Sequence, residues 1–342
     1  MAKSRPNRNK SETGYAIKRL AEARKILTPA LHQYCRRFRT EVQSLLDHAF
    51  ISPGNCERGL LTSLAWELKK PKTKNILPAQ VALELLHFST LVVDDVFDES
   101  ELRGGFPSVS KAFGVSGAIV AGEILSAMAT RALSDHHLVQ LTSPSKVVEA
   151  IDLLAATKEK IYCGQRLDLL FERRKQVTRK EYFEMIDLTT GCLIEAAVLT
   201  GAILRGASKS EKTALSRYGR CLGMALQIRN DVSELIGMPE RIGKKLGGDL
   251  EQGKKRLPLI HALEVAPRAQ KYELRRIIEK ERLSERQLAL VVEIFHSLGS
   301  IKYCQDTLRE LTEEAIGSIL KLPETKARSA MIGLAKIVAN AS

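Results

Sequence analysis

Long runs rich in Leu, Ala, Glu, Lys and Ile, with Pro and Gly confined to short gaps, restrict this chain to helices. Helical periodicity predicts helices near 31–50, 57–69, 78–98, 108–135, 146–173, 179–206, 210–236 and 257–266, with several more from 270 to the end. No regular series of short alternating strands interrupts them. The gaps "SPGN", "KKPKTKNILP", "GGFPS" and "TSPSK" have the composition of short connections, none reads as a domain linker, and there is no internal repeat. With 342 residues, 44% of them hydrophobic, the chain can bury a large core. The expected fold class is all-α, one large helical bundle over 31–342.

The net charge of +13 is concentrated at one end: residues 1–40 hold eleven Lys or Arg against two Glu, leaving +4 for the rest. The opening "MAKSRPNRNK" lacks the apolar residues needed to fold alone, so residues 1–30 read as a basic, disordered tail. A membrane-surface anchor or a short targeting segment is the alternative reading of that tail, and nucleic acid is not expected without aromatic platforms. Six cysteines without a CxxC pair indicate neither a zinc ribbon nor a disulfide framework. The most apolar windows, around 81–97 and 112–133, carry Glu84, His87 and Glu123 at their centres. No signal peptide and no transmembrane segment are therefore read, and the expected location is cytoplasmic.

Chemistry enters at "LVVDDVFDESELRGG", residues 91–105. On a helix Asp94 and Asp98 project from one face, with Asp95 about 100° round. Repulsion between like charges at that spacing is mildly destabilising, so one such row alone reads as a solvated helix end. A second row stands 136 residues later in "QIRNDVSEL", where Asn230, Asp231 and Glu234 repeat the spacing after another apolar run. Two oxygen-rich rows facing each other suit Mg²⁺, a hard cation that completes its shell with waters and phosphate oxygens. After the second row, "GKKLGGDLEQGKKRLP" brings Lys244, Lys245, Lys254 and Lys255 to a glycine-rich segment, while Arg103 follows the first row. Lysines as mobile point charges and an arginine as a bidentate clamp suit a diphosphate.

The blocks "ELLHFSTLVVDDVFDESELRGGFP", "AGEIL", "GQRLDL", "QIRNDVSE" and "GKKLGGDLEQGKKRLP", in this order, resemble the trans-isoprenyl diphosphate synthase (polyprenyl synthetase) family. The resemblance covers nearly the whole chain beyond the tail. It implies the isoprenoid synthase class I bundle, a homodimer, and three Mg²⁺ ions gripping an allylic prenyl diphosphate. It assigns Asp94 and Asp98 to the first metal row with Asp95 nearby, Asn230 and Glu234 with Asp231 to the second, and Arg103 and Lys244 to the diphosphate. Gln165 and Asp168 match a polar pair near the cleft, and Thr189, Gln227 and Lys254 match further substrate contacts. Phe88, Ser89 and Thr90 match the floor of the hydrophobic tunnel, where small residues leave depth for a C15 to C20 chain.

Departures from the family pattern gather at the acceptor end. Where the family shows G-K-R-x-R-P, this chain has "GNCERG", residues 54–59, keeping only Arg58 of three cations. Gly104 replaces the second of two arginines, and Thr189–Thr190 replace a Lys-Thr pair. His87 remains at a further acceptor position. Each lost charge-assisted contact is worth roughly 1.5 to 3 kcal/mol, so three together weaken acceptor binding by more than about a thousandfold. The expectation from sequence is a terpene synthase, a lyase that ionises one prenyl diphosphate and cyclises or rearranges it. A prenyltransferase elongating with isopentenyl diphosphate or another acceptor is the alternative, and a regulatory subunit is a third reading.

Overall fold

The computed structural model describes residues 6–52, 54–69, 75–237, 246–280 and 282–340, with backbone alone for 6–11. Helices α1 (Pro6–Cys35), α2 (Thr40–Ala49), α3 (Glu57–Glu67) and α4 (Leu77–Phe97) open the chain. An antiparallel hairpin of β1 (Leu102–Arg103) and β2 (Phe106–Pro107) turns it into α5 (Val109–Leu133). Next come α6 (His136–Leu141), α7 (Pro144–Glu172), α8 (Arg179–Ile186), a π-turn at Asp187–Gly191, α9 (Cys192–Arg205) and α10 (Lys209–Ile236). The last stretch holds α11 (Gly248–Glu251), α12 (Leu257–Val265), α13 (Arg268–Ile278), α14 (Glu285–Ser297), α15 (Ser300–Ile319) and α16 (Lys326–Asn340). The all-α expectation holds, and most boundaries fall within two residues of those expected.

Local chemistry sets these ends. Capping boxes at Thr178/Glu181, Ser208/Glu211 and Ser284/Gln287 satisfy the first N–H groups of α8, α10 and α14. Proline in the first turn starts α4, α7 and α12 at no cost in hydrogen bonds. In the interior α4 packs along α5, α3 against α9, α9 against α10, and α10 against α15. At Gly223 of α10 a Cβ would come within 2.7 Å of Gly191 Cα, so this glycine lets α10 press against the π-turn.

Two expectations need correction. Residues 1–30 were expected to be a disordered tail, but α1 begins at Pro6 and buries Ala16, Ala23 and Leu27 before Leu31. That spacing of seven, four and four keeps them on one helix face, an apolar stripe hidden in composition by the basic residues on the other faces. Some of the charges are also used: Lys336 of α16 lies 2.7 Å from Glu12, and Arg19 grips Glu67 with two bonds of 2.8 and 2.9 Å. Residues 1–5 lie outside the described residues. The single helix expected over 31–50 is broken after Cys35, and Arg39, extended at φ −63° and ψ 157°, precedes α2. No Gly or Pro stands in "RRFR", so the break carried no sequence signal.

Val109–Leu141 and Arg179–Arg205 are long and apolar enough to cross a membrane by length and composition. In the second, 67% of the apolar window is buried inside the bundle, as in a core helix. The first is 39% buried, because α5 packs on α4 by one face and leaves Val115, Ile119 and Val120 outward.

Candidate active site

The two acidic rows do come together. A cavity of about 190 Å³ is lined by Asp94 from α4, Asn230 and Gln227 from α10, and Gln165 and Asp168 from α7. Thr189 and Thr190 of the π-turn line it too, as do apolar Leu91, Phe97, Ile161, Met185 and Leu193. Polar oxygens thus stand over an apolar wall, an arrangement for a molecule with a charged head and a hydrocarbon tail. The π-turn is a local widening of the helix of the kind that gathers at functional sites.

Both rows divide labour in the same way. The residue one place after the first, 100° round, is locked into the protein. Asp95 is buried and held by Arg103, with Nε–Oδ2 of 3.0 Å and Nη2–Oδ1 of 2.5 Å. Asp231 is buried likewise: Tyr182 Oη donates to its Oδ2 at 2.6 Å and Gln227 Nε2 to its Oδ1 at 2.9 Å. Burial pushes the Asp231 carboxyl up to about 6, with Arg256 opposing. Neither Asp95 nor Asp231 faces the cavity, so their expected catalytic and metal-ligand roles become roles in holding the rows.

Of the remaining row residues Asp94 and Asn230 line the cavity and Asp98 and Glu234 do not; Asp98 accepts from Lys254 Nζ at 2.6 Å, and Asp94 is 4.0 Å from Arg103 Nη2. Glu234 Oε1 accepts from the Asp249 N–H at 2.9 Å, and burial, then Asp249, push its carboxyl up to about 8. Crowded carboxylates of this kind are what a divalent cation relieves. Among the described residues no three His, Cys, Asp or Glu side chains converge closely enough to chelate an ion unaided. That suits Mg²⁺, which takes one or two carboxylates and completes its shell with water and phosphate oxygens. The oxygens of Asp94 and Asn230 on the cavity wall, with Asp98 and Glu234 beside them, are of the hard kind that Mg²⁺ takes, and these are the residues that would hold it.

The lysine segment is placed in part. Lys244 and Lys245 lie outside the described residues. Lys254 is fully buried and bridges Asp98, Asp168 at 2.8 Å and Glu172 at 3.1 Å. Burial alone would lower its ammonium, but Asp168 leads the acidic neighbours that hold it above its ordinary value. Lys255 points away, to the Glu172 and Gly253 carbonyls. Two residues that sequence reasoning missed, Asp249 and Arg256, complete the cluster: Arg256 Nη1 donates to Asp168 Oδ1 at 3.0 Å and its Nε to Asp249 Oδ2 at 2.5 Å. Both stand in the quoted "GGDLEQGKKRLP", where attention to lysines passed over them.

Three further expectations are corrected by helix geometry. Of Phe88, Ser89 and Thr90 only Thr90 lines the cavity, on the face it shares with His87, Leu91 and Asp94. Ser89 is buried and donates to the Leu86 carbonyl, and Phe88 packs edge-on against Phe50 at 4.9 Å between centroids. Neither lines this cavity. Arg103, expected at the diphosphate, is spent on Asp95 and does not line the cavity. Its neighbour Gly104 has φ +59°, and a Cβ there would stand 2.1 Å from Ser52 Oγ. An arginine cannot occupy that position without moving Ser52.

At the other end of the cavity stand Arg58 and His87. Arg58 Nε and Gln165 Nε2 are buried donors without a hydrogen-bond partner among the described residues, a costly state that an anionic or oxygen-rich ligand would relieve. Arg229 is pushed down by burial and by Arg58, although Glu57 opposes. His87 is held well below its ordinary value by burial and then by Arg58, so it is neutral at pH 7. Glu84 anchors this corner: it is fully buried, accepts from the Gly59 N–H at 2.7 Å, and is pushed up to about 7 by burial, with Arg58 opposing. Cys56, at the start of "CERG", sits at φ 53° with its thiol buried, so it presents nothing to the cavity.

Known proteins bear on this geometry. The family description "Polyprenyl synthetase" matches residues 39–295. A short chain isoprenyl diphosphate synthase of Methanocaldococcus jannaschii is 33% identical over 258 residues, 75% of this chain and 76% of the relative. A geranylgeranyl diphosphate synthase of Methanosarcina mazei is 41% identical over 201 residues, 59% of this chain and 61% of its own. A solved geranylgeranyl pyrophosphate synthetase from Pyrococcus horikoshii superposes with a TM-score of 0.86 at 29% identity, covering 95% of this chain and 98% of that one. A bundle with this cavity, two opposed acidic rows and a match of such extent leaves one conclusion: the chain belongs to the polyprenyl synthetase family of trans-isoprenyl diphosphate synthases.

Proposed function

We propose that this protein is a Mg²⁺-dependent prenyltransferase that ionises an allylic prenyl diphosphate and joins it to isopentenyl diphosphate. The observation that carries this reading is that one cavity holds both ends: Asp94 and Asn230 of the acidic rows, and the buried, unpartnered Arg58 Nε beside neutral His87. The terpene synthase expectation rested on cations missing from "GNCERG". Arg58 nevertheless lines the cavity, half-buried and 3.9 Å from Glu57, and a guanidinium with a buried free Nε suits an acceptor diphosphate. The relatives, all named as diphosphate synthases, support transfer over cyclisation.

The hydrocarbon tail lies along Leu91, Phe97, Ile161, Met185 and Leu193, which exclude water from the reacting carbon. Asp94, Asp98, Asn230 and Glu234 would hold Mg²⁺, which would supply Lewis-acid neutralisation of the leaving diphosphate. Gln165 Nε2 is a further donor for a substrate oxygen. The allylic C–O bond breaks, pyrophosphate departs with the electron pair, and the acceptor's double bond attacks the cation. The cationic adduct then loses a proton to the departed pyrophosphate, which restores a double bond and a neutral hydrocarbon chain. The outward Val115, Ile119 and Val120 of α5 make an apolar strip suited to a second copy of the chain, and a homodimer is part of the proposal.

The test is to incubate the protein with Mg²⁺ and geranyl, farnesyl or geranylgeranyl diphosphate, with and without isopentenyl diphosphate, and to identify products by mass spectrometry. Longer prenyl diphosphates formed only with isopentenyl diphosphate support the proposal. A hydrocarbon or alcohol of unchanged carbon number, formed without it, replaces the proposal with the cyclising reaction.

A further inference from the structure

The first turn of α3, which carries Arg58, has no cap of its own. Cys56 stands at the N-cap in the left-handed region, φ 53° and ψ 44°, and its side chain makes no capping hydrogen bond. The opening N–H groups of a helix must find acceptors elsewhere. Here the acceptor comes from α4: Glu84, fully buried, takes the Gly59 N–H on Oε1 at 2.7 Å. Gln80, one turn earlier on the same face of α4, donates Nε2 to the Gly59 carbonyl at 3.2 Å. Gly59 is thus held by both its N–H and its C=O, and a Cβ there would stand 2.5 Å from Leu27 Cδ1. Thr62 Oγ1, 2.9 Å from the carbonyls of Arg58 and of Ala197 in α9, steadies the same turn from the other side.

A serine or aspartate at the N-cap would satisfy that N–H without burying a carboxyl group. What the distant carboxylate adds is a tie between two helices. Gln80, Glu84, His87, Leu91 and Asp94 follow one another at steps of four, three, four and three, so they share one face of α4. His87, Leu91 and Asp94 line the cavity, while Gln80 and Glu84 grip α3. One stripe of a single helix therefore sets where Arg58, with its buried and unpartnered Nε, stands relative to the first acidic row. Joining two substrates demands that spacing, because their reacting carbons must be held about 3 to 3.5 Å apart.

We propose that Glu84 is a positioning residue of the acceptor subsite: by fixing the first turn of α3 against α4, it holds Arg58 where the acceptor's diphosphate meets it. Glu84 itself does not line the cavity and touches neither substrate. Its effect falls on the acceptor, because Asp94 and Asn230 stand on α4 and α10 and do not depend on how α3 begins. This inference rests on the acceptor role proposed above for Arg58, and its test separates the two.

Steady-state kinetics with farnesyl diphosphate, isopentenyl diphosphate and Mg²⁺ are measured for the wild type, Glu84→Leu and Glu84→Gln, each substrate being varied at saturation with the other. In Glu84→Leu the KM for isopentenyl diphosphate is expected to rise by about 10-fold or more, as for loss of one hydrogen bond to a charged group, while the KM for farnesyl diphosphate moves by less than about twofold. Glu84→Gln keeps an oxygen for the Gly59 N–H and is expected to bring the KM for isopentenyl diphosphate back to within about threefold of the wild type. No rise in Glu84→Leu, equal shifts in both KM values, or Glu84→Gln as impaired as Glu84→Leu overturns the inference and leaves the proposed function standing. If Glu84→Leu does not fold, Glu84→Asp, whose shorter side chain draws the carboxylate back from Gly59, decides by the same two constants. A wild type that does not extend farnesyl diphosphate with isopentenyl diphosphate overturns the proposed function, and the inference with it.

Discussion

Replacing Lys254 by methionine tests the electrostatic construction of the site. The side chain is 1% exposed and its ammonium lies within 2.6 to 3.1 Å of Asp98, Asp168 and Glu172. Methionine fills a similar volume but strands these carboxylates, and breaking a buried ion pair from one side costs about 3 to 5 kcal/mol. Arg256 still neutralises part of Asp168, which favours the lower end of that range. An unfolding entropy of about 2.1 cal/mol/K per residue gives about 0.7 kcal/mol/K for 342 residues, so the melting temperature should fall by roughly 4 to 7 °C. Calorimetry of Lys254→Met beside Lys302→Met, which removes the exposed pair with Asp306 and should change stability by less than about 1 kcal/mol, supplies the control. Added Mg²⁺ should restore part of the loss, because a divalent ion can stand beside Asp98 in place of the ammonium. Equal melting temperatures for the two variants, or no recovery with Mg²⁺, would refute this reasoning.

Other expectations follow from single contacts. Asp94→Asn removes a charged ligand facing the cavity and should lower Mg²⁺-dependent pyrophosphate release by roughly 100-fold or more, equivalent to about 3 kcal/mol; near-normal turnover would remove the metal assignment. Gly104→Arg places a side chain at φ +59° against Ser52 and should cost about 1 to 3 kcal/mol in a denaturant titration, without improving use of isopentenyl diphosphate. Ile119→Glu puts a charge on the outward strip of α5 and should shift light-scattering mass from dimer to monomer; a wild-type monomer would exclude that surface as the dimer face.

Much of the fold was legible because its signals are local. The caps at Ser208 and Ser284 and the prolines at α4, α7 and α12 fix helix starts within a few residues of themselves. The rows at Asp94 and Asn230 were legible as patterns, and helix geometry alone put Asp98 and Glu234 with them. What they touch was not legible. That Asp95 belongs to Arg103, Asp231 to Tyr182, and Arg256 to Asp168 depends on pairings between residues 8, 49 and 88 positions apart. The role of α1 was hidden for another reason: its basic composition outweighed a stripe that becomes informative only once α16 covers it. At the acceptor end, a residue-by-residue comparison saw three missing cations, whereas the fold keeps Arg58 half-buried on the cavity wall with a buried, unpartnered Nε.

The central claim is that one cavity takes both substrates, and equilibrium binding of isopentenyl diphosphate tests it most directly. The protein is saturated with Mg²⁺ and a thiolo analogue of farnesyl diphosphate that does not ionise, and isopentenyl diphosphate is titrated in by calorimetry. The account predicts binding of one molecule per chain, weakened by about 10-fold or more in Arg58→Ala through loss of a charge-assisted contact of roughly 1.5 to 3 kcal/mol. No heat of binding in the wild type, or the same affinity in Arg58→Ala, would contradict it.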